Sequence, residues 1–169
     1  MRDLTIDEVA RAVIAANAAD VLAYLVRNAG NAEDGADLFG EISVVVWRRR
    51  RRVPREPVEA RKWMFVVARN AVNNHRRARR RAAAGTEVLR GEVQRAMILR
   101  ASEQTDLQVE VGAAIDQLGI NAELVRLVHW DGFSLVETAE ILGIPASTAR
   151  SRYAVAKRKL EASLSLITR

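Results

Sequence analysis

Residues 134–152 read SLVETAEILGIPASTARSR, and this stretch predicts two short helices joined by a tight turn. Ser134 followed three residues later by Glu137 is the pattern of a helix capping box. Gly143 gives the backbone the freedom that a turn between helices requires. Ala139, four residues before Gly143, lets a second helix cross closely. The stretch is therefore predicted to be a helix-turn-helix.

The second of these helices is predicted to be amphipathic. Its apolar side carries Ala149, Tyr153, Ala156 and Leu160, which should be buried. The other side carries hydroxyl and basic groups, which can contact phosphates and base edges in a major groove. An ordinary helical hairpin with a polar outer face is the alternative, but the small residue, the glycine turn and the basic helix together favour DNA binding. The candidate DNA-contacting residues are Ser147, Thr148, Arg150, Ser151, Arg152, Lys157 and Arg158.

Positive charge is concentrated in the middle of the chain. Residues 44–81 carry 14 basic and 2 acidic side chains, whereas residues 1–43 carry 3 basic and 8 acidic ones. Such a block favours a polyanionic partner, because each neutralised phosphate releases condensed counterions. A solvated basic face or a localisation signal is the alternative, but this charge density within a helical pattern favours nucleic acid.

A helix is predicted from about Val58 to about Arg81, with a polar face opposite an apolar stripe. Amide and guanidinium groups on a rigid helix can read bases and hold phosphates. Trp63 and the loop around Arg55 can stack on or clamp an unpaired base, although Trp at this spacing is more often part of a core. The stripe comprises Ala60, Met64, Val67, Ala68 and Ala71. The candidate nucleic-acid residues are Arg55, Lys62, Trp63, Arg69, Asn70, Asn73, Asn74, Arg76, Arg77 and Arg80.

The run Arg48–Arg52 precedes this helix and receives no base contact in our interpretation. Three roles remain open for it: a solvated helix end, a phosphate clamp, or charge that interacts with the dipole at a helix C-terminus.

Helical spacing of apolar residues recurs through the rest of the chain. Residues 6–27 predict one or two helices, Gly30 and Gly35 bracket a turn, and residues 36–52 predict another helix. Residues 82–105 mix alanine, glycine and charged residues, as linkers do. We therefore expect an all-α protein of two small helical domains, 1–81 and 106–169, joined by a flexible linker at 82–105.

Composition excludes several kinds of site. The chain has no cysteine, so neither disulfides nor cysteine-ligated zinc can form. Its two histidines are far apart and have no pattern of carboxylate partners; we expect His75 on the surface beside DNA and His129 packed next to Trp130. No glycine-rich phosphate loop or nucleophile motif is present. We expect no catalytic residue, metal or cofactor, and hence a protein that is not an enzyme.

Location can also be predicted from composition. Acidic residues in the first thirty positions argue against a signal peptide. No uninterrupted run of about 18 apolar residues occurs, so no membrane-spanning helix and no membrane insertion are expected. A cytoplasmic location is the simplest prediction.

Two motifs in order carry a resemblance to a known family. Asp37–Trp47, DLFGEISVVVW, resembles the Asp-Leu-x-Gln-Glu-x-Phe-x-x-x-Trp signature of sigma factor region 2. Trp63–Arg81 resembles the helix that follows this signature, and residues 113–164 resemble region 4 with its helix-turn-helix. Over about residues 17–164 the chain resembles the extracytoplasmic-function (ECF) sigma factors of bacterial RNA polymerase. Asn74 stands where many members carry Asp.

The resemblance implies a transcription initiation factor that binds core RNA polymerase, through the β′ clamp and the β flap, and directs it to promoter DNA. Asp37, Leu38 and Glu41 would dock on the coiled coil of the β′ clamp. The candidate residues of the central helix and the preceding loop would recognise and help melt the minus-ten element. Those of the last helix would read the minus-thirty-five element.

An anti-sigma partner is also expected, since the chain lacks an obvious regulatory extension. The alternatives are a stand-alone helix-turn-helix repressor or activator, and an RNA-binding module. The first would leave the basic block at 44–81 and the Asp37–Trp47 helix unexplained, and the second would bind RNA through the central block as a protein-binding module or anti-terminator.

Overall fold

The computed structural model describes residues 5–83 and 106–167, which form seven α-helices and two short 3₁₀ turns without any strand. The helices are α1 (Ile6–Ala29), α2 (Ala32–Arg48), α3 (Pro57–Ala83), α4 (Asp106–Asp116), α5 (Ala122–His129), α6 (Leu135–Leu142) and α7 (Ala146–Ile167). The 3₁₀ turns span Arg50–Arg52 and Gly119–Asn121. The predicted all-α class is confirmed.

The chain divides into two compact units, Met1–Ala101 and Ser102–Arg169. The prediction of two helical domains is therefore confirmed. Of the predicted linker at 82–105, residues 82–83 belong to α3 and the rest lie outside the described residues.

The N-terminal unit is a three-helix bundle in which α1 contacts both α2 and α3. A capping box between Thr5 and Glu8 begins α1, and Gly30, at a φ of 100°, ends it. Tyr24 on α1 and Phe65 on α3 meet in the core with ring centroids 5.3 Å apart. Burial of aromatic rings such as these contributes much of a small bundle's stability.

Helix α1 is long and apolar enough to cross a membrane, although the sequence holds no uninterrupted apolar run. The structure explains this composition by packing. Val21, Tyr24 and Leu25 lie in the core, while the outer side carries small residues such as Ala15 and Ala19. Packing against α2 and α3 thus accounts for the apolar residues on the buried side of α1.

Helix α2 differs from its prediction at both ends. Asn31 caps its start, because the Asn31 side chain accepts a 2.7 Å hydrogen bond from the backbone of Asp34. Gly35, predicted to bracket a turn, lies inside α2, where a Cβ would stand 2.6 Å from Val26 Cγ2. It is thus a close-approach position between α1 and α2. The helix ends at Arg48, and the following arginines form a 3₁₀ turn instead of continuing it.

The C-terminal unit contains the predicted helix-turn-helix as α6 and α7. Ser134 and Glu137 form the capping box, and Gly143 takes a φ of 65° at the turn. Ala139 is buried against Leu124 and Ala149, so the small residue lets the helices approach as expected. A second cluster, including Ile115, joins α4 and α5 to Ala156 of α7.

Candidate nucleic-acid interface

Helix α3 presents a narrower polar face than the sequence predicts. Ala60, Met64, Val67 and Ala68 are buried as expected, and Ala71 is half-buried. Two residues outside the predicted stripe, Phe65 and Val72, are also fully buried. The buried face is broad because α3 packs against both α1 and α2.

The candidate residues of this region accordingly divide by exposure. The exposed ones are Arg55, Asn70, Asn74, Arg76, Arg77 and Arg80. The half-buried ones are Lys62, Trp63, Arg69 and Asn73. The Lys62 side chain, only 15% exposed, pairs with Glu59 at 2.8 Å, so it lies beside the bundle surface instead of projecting from it.

Arg76 makes contacts within the protein that the helical pattern did not reveal. Its Nε and Nη2 atoms donate to the Asn28 carbonyl at 3.3 and 3.0 Å, and Nη2 also donates to Asn28 Oδ1 at 3.0 Å. Arg79 donates to the Ala29 carbonyl and lies 3.5 Å from Asp34 Oδ2. These two guanidinium groups bind carbonyl groups left without helical partners at the end of α1.

The two histidines make contacts that the sequence did not predict. The Nε2 atom of His75 is buried and lies 3.5 Å from Asp34 Oδ2, so this edge of the ring faces α2. His129 stacks on Tyr153 with centroids 5.9 Å apart, and its Nε2 lies 2.9 Å from the Tyr153 hydroxyl.

A groove of about 510 Å³ runs between α2 and α3. Leu38 helps to form its apolar floor and is only 3% exposed, while Asp37 and Glu41 are exposed on α2. Leu38 therefore does not present a docking side chain as predicted, because its position on α2 faces the core. Asn70, Asn74 and the arginines at positions 49 and 81 lie among the polar residues that line the groove.

Helix α7 presents most of its predicted polar face to solvent. Ala149 and Ala156 are fully buried beneath it. The hydroxyl of Ser151 donates to the Ser147 carbonyl at 3.1 Å, so part of its hydrogen-bonding capacity is used within the helix. The exposed candidates are Ser147, Arg150, Ser151, Lys157 and Arg158, and the half-buried ones are Thr148 and Arg152.

Sequence reasoning missed an apolar hollow of about 510 Å³ in the C-terminal unit. Val111, Ile115, Val125 and Leu160 line it, and Trp130, half exposed, stands with His129 at its side. The tryptophan that follows a short helix was the signal that could have indicated this hollow. Residue spacing alone, however, does not distinguish an exposed ring from a buried one.

The part of the chain that the structure describes gathers no three His, Cys, Asp or Glu side chains in a metal-binding arrangement.

Two helical units, each with a basic or amide-rich helix on its surface and one of them a helix-turn-helix, favour the class of helical DNA-binding proteins. The family profile described as ECF sigma factor matches residues 51–166, and the profile described as sigma-70 region 2 matches residues 13–82. The chain belongs to the ECF sigma factor family and is a transcription initiation factor, which confirms the resemblance found in its sequence.

Relatives of known name agree with this assignment. The chain is similar to the ECF RNA polymerase sigma factor SigL of Mycobacterium tuberculosis, with 29% identity over 165 residues that cover 91% of this chain and 88% of SigL. Its fold is similar to that of the sigma factor RpoE in a co-crystal structure with the anti-sigma factor NepR from Bartonella quintana. The TM-score is 0.69 at 19% identity, with 90% of this chain and 94% of that chain covered.

Proposed function

We propose that this sigma factor divides promoter recognition between its two units. Residues 1–81 form the unit for polymerase docking and for the minus-ten element, and residues 106–169 form the unit for the minus-thirty-five element. The observation that carries this proposal is the exposed face of α3. There Asn70, Asn74 and Arg77 stand on a helix whose opposite side is fixed in the core.

The α3 face has the groups that base reading and strand separation need. Amides can form paired hydrogen bonds with base edges, and guanidinium groups hold phosphates and stack on bases. Of the half-buried candidates, Trp63 and Arg69 would act at the edge of this surface. Arg76 would contribute indirectly, by holding α3 against the end of α1, because its guanidinium already binds Asn28.

Helix α7 would enter the major groove with the residues near its start. Ser147, Arg150 and Ser151 are exposed within its first two turns, where recognition helices contact base edges. Lys157 and Arg158 lie further along the helix and suit phosphate contacts. The buried Ala149 and Ala156 fix the helix against the unit's core.

Contact with core polymerase would involve both units. On α2, the exposed carboxylates of Asp37 and Glu41 are four residues apart and share a helix face, which suits a basic partner helix such as the β′ clamp. In the C-terminal unit, the hollow beside Trp130 suits an apolar element of the β flap.

An anti-sigma protein is a further proposed partner, supported by the complex of the structurally similar RpoE with NepR. We also propose that the protein acts in the cytoplasm, where RNA polymerase is found, and that it has no catalytic activity of its own.

Reconstituted transcription tests the proposal. Purified protein with core polymerase should initiate run-off transcripts from specific start sites, and an Asn70→Ala/Asn74→Ala variant should lose or shift those start sites. A Gln117→Ala variant, which removes an exposed amide outside both proposed DNA surfaces, is the matched control. Specific binding to a palindromic duplex without polymerase, or start sites unchanged in the double variant, would contradict the proposal.

A further inference from the structure

Five consecutive arginines, Arg48–Arg52, form a concavity of about 400 Å³, and no other residue within 5–83 lines it. The 3₁₀ turn at Arg50–Arg52 produces this crowding, because it folds the run back at the end of α2 instead of letting the side chains spread around a longer helix.

The backbone beneath this cluster is fixed by hydrogen bonds and by packing. The amide of Arg49 donates to the Val45 and Val46 carbonyls at 3.0 and 3.1 Å, and that of Arg52 donates to the Arg49 carbonyl at 2.7 Å. Val53, directly after the run, is only 7% exposed. The arginines therefore project from a held backbone.

Arg50 differs from its four neighbours. Its Nε donates to Asp7 Oδ1 at 2.6 Å, and its guanidinium lies 5.2 Å from the Trp47 ring centroid. Arg11 lies over the same ring at 5.5 Å. Arg50 thus ties the turn to α1 and is already engaged.

The other four arginines are exposed, and within residues 5–83 no ion pair joins them to an acidic side chain. Elsewhere in this unit, acidic side chains pair with Arg61 and Arg79. Like charges held together repel one another, so the cluster is an arrangement that an anionic ligand would stabilise.

The cluster is also continuous with the surface proposed for the minus-ten element. Arg49 lines the groove between α2 and α3 together with Asn70, Asn74 and Arg81. Since the groove connects the run to this face, a DNA strand on α3 would have its backbone within reach of the turn.

We propose that Arg48, Arg49, Arg51 and Arg52 form a phosphate clamp that binds the promoter DNA backbone without regard to base sequence. This inference rests on the proposed function of α3. Guanidinium groups bind phosphate oxygens through paired, charge-assisted hydrogen bonds, and a cluster without acidic partners can do so without breaking existing ion pairs. The clamp would hold the DNA while the amides of α3 read the bases.

The salt dependence of holoenzyme binding tests this clamp. An R48Q/R49Q/R51Q/R52Q variant, assembled with core polymerase, should bind both a promoter duplex and a scrambled duplex of equal length at least about tenfold more weakly at low salt. Each neutralised phosphate contributes about 0.9 to the slope of log affinity against log salt, so losing four contacts should decrease this slope by about 3.6. The ratio of promoter to scrambled affinity should stay unchanged.

A lysine variant, R48K/R49K/R51K/R52K, is the matched control, because it keeps the charge and should keep most of the slope. Thermal unfolding of each variant checks that the unit is folded; if the glutamine variant does not fold, R51Q/R52Q should decrease the slope by about 2. An unchanged slope in the folded glutamine variant would overturn the clamp. So would weaker assembly with core polymerase at an unchanged slope, which would indicate an acidic protein partner.

The proposed function can fail separately in the same experiment. Wild-type preference for the promoter over the scrambled duplex tests the function, whereas the change in slope tests the clamp.

Discussion

Individual arginines of the N-terminal unit do different work although they are close in sequence. All four arginines at positions 76, 77, 79 and 80 are exposed, but only Arg76 and Arg79 bind the carbonyl end of α1; within the described residues Arg77 and Arg80 make no hydrogen bond or ion pair. The number of arginines on α3 therefore overstates how many of its guanidinium groups are available to bind DNA. The contact that each guanidinium makes within the unit decides whether its loss affects folding or promoter binding.

Arg76→Ala should lower stability more than promoter selectivity. The substitution removes three hydrogen bonds to Asn28, which should reduce the free energy of unfolding by about 1–3 kcal/mol. Chemical denaturation of the purified protein measures this change. Arg77→Ala is the control and should weaken promoter binding with an unchanged unfolding midpoint; the reverse pattern would contradict these assignments.

Gly35→Ala and Gly40→Ala should change stability in opposite directions. Both positions lie within α2, but a Cβ at position 35 would stand 2.9 Å from the Val26 Cα, whereas position 40 has nothing within 4 Å. Overpacking at Gly35 should cost about 1–3 kcal/mol. Alanine at position 40 should contribute about 0.5–1 kcal/mol through helix propensity. Equal shifts of the unfolding midpoint in the two variants would disprove the close contact.

At the scale of elements, helix starts were predictable and packing environments were not. The Ser134–Glu137 box and the Gly143 turn depend on nearest neighbours along the chain, so the sequence shows them directly. The burial of Leu38 and Phe65 depends on how three helices meet, and the pattern of one helix does not contain that information. For the same reason the bonds of Arg76, to a residue 48 positions away, escaped prediction.

The capping box at the start of α1 predicts how the stability of this unit depends on pH. The Thr5 backbone N–H, followed by its side chain, holds the pKa of Glu8 below its ordinary value. A lowered folded-state pKa means that this cap stabilises the fold above the unfolded-state pKa, and that the contribution is lost as pH falls through the folded-state pKa.

Thr5→Ala should raise the Glu8 pKa towards its ordinary value without fully restoring it. The variant loses the side-chain hydrogen bond, but it keeps the backbone N–H that is the larger cause. An NMR titration of the Glu8 carboxyl carbon in both proteins measures the difference. An identical pKa in the two proteins would show that the Thr5 hydroxyl does not hydrogen-bond to the Glu8 carboxylate.

On the scale of the whole molecule, each unit has its own core. The N-terminal core centres on Tyr24 and Phe65, and the C-terminal unit packs around Ile115 and Leu124. Two separately stabilised modules on one chain can bind two DNA elements with an affinity greater than either alone.

Cutting the connection between the units should therefore cost affinity but not folding. Fragments 1–83 and 106–169, tested by circular dichroism, should each be helical and unfold cooperatively. Mixed together with core polymerase, they should bind promoter DNA about 10²-fold more weakly than the intact chain, because the second contact is no longer intramolecular. Full affinity in the mixture would rule out a contribution from linkage.

The position of Trp130 has a spectroscopic consequence. The chain has three tryptophans, and Trp47 and Trp63 both lie in the N-terminal unit. Replacing those two with phenylalanine would leave a single indole fluorophore, 51% exposed, beside the apolar hollow of the C-terminal unit. Its emission should shift to the blue when a partner covers the hollow, so occupancy could be followed in solution without an attached dye.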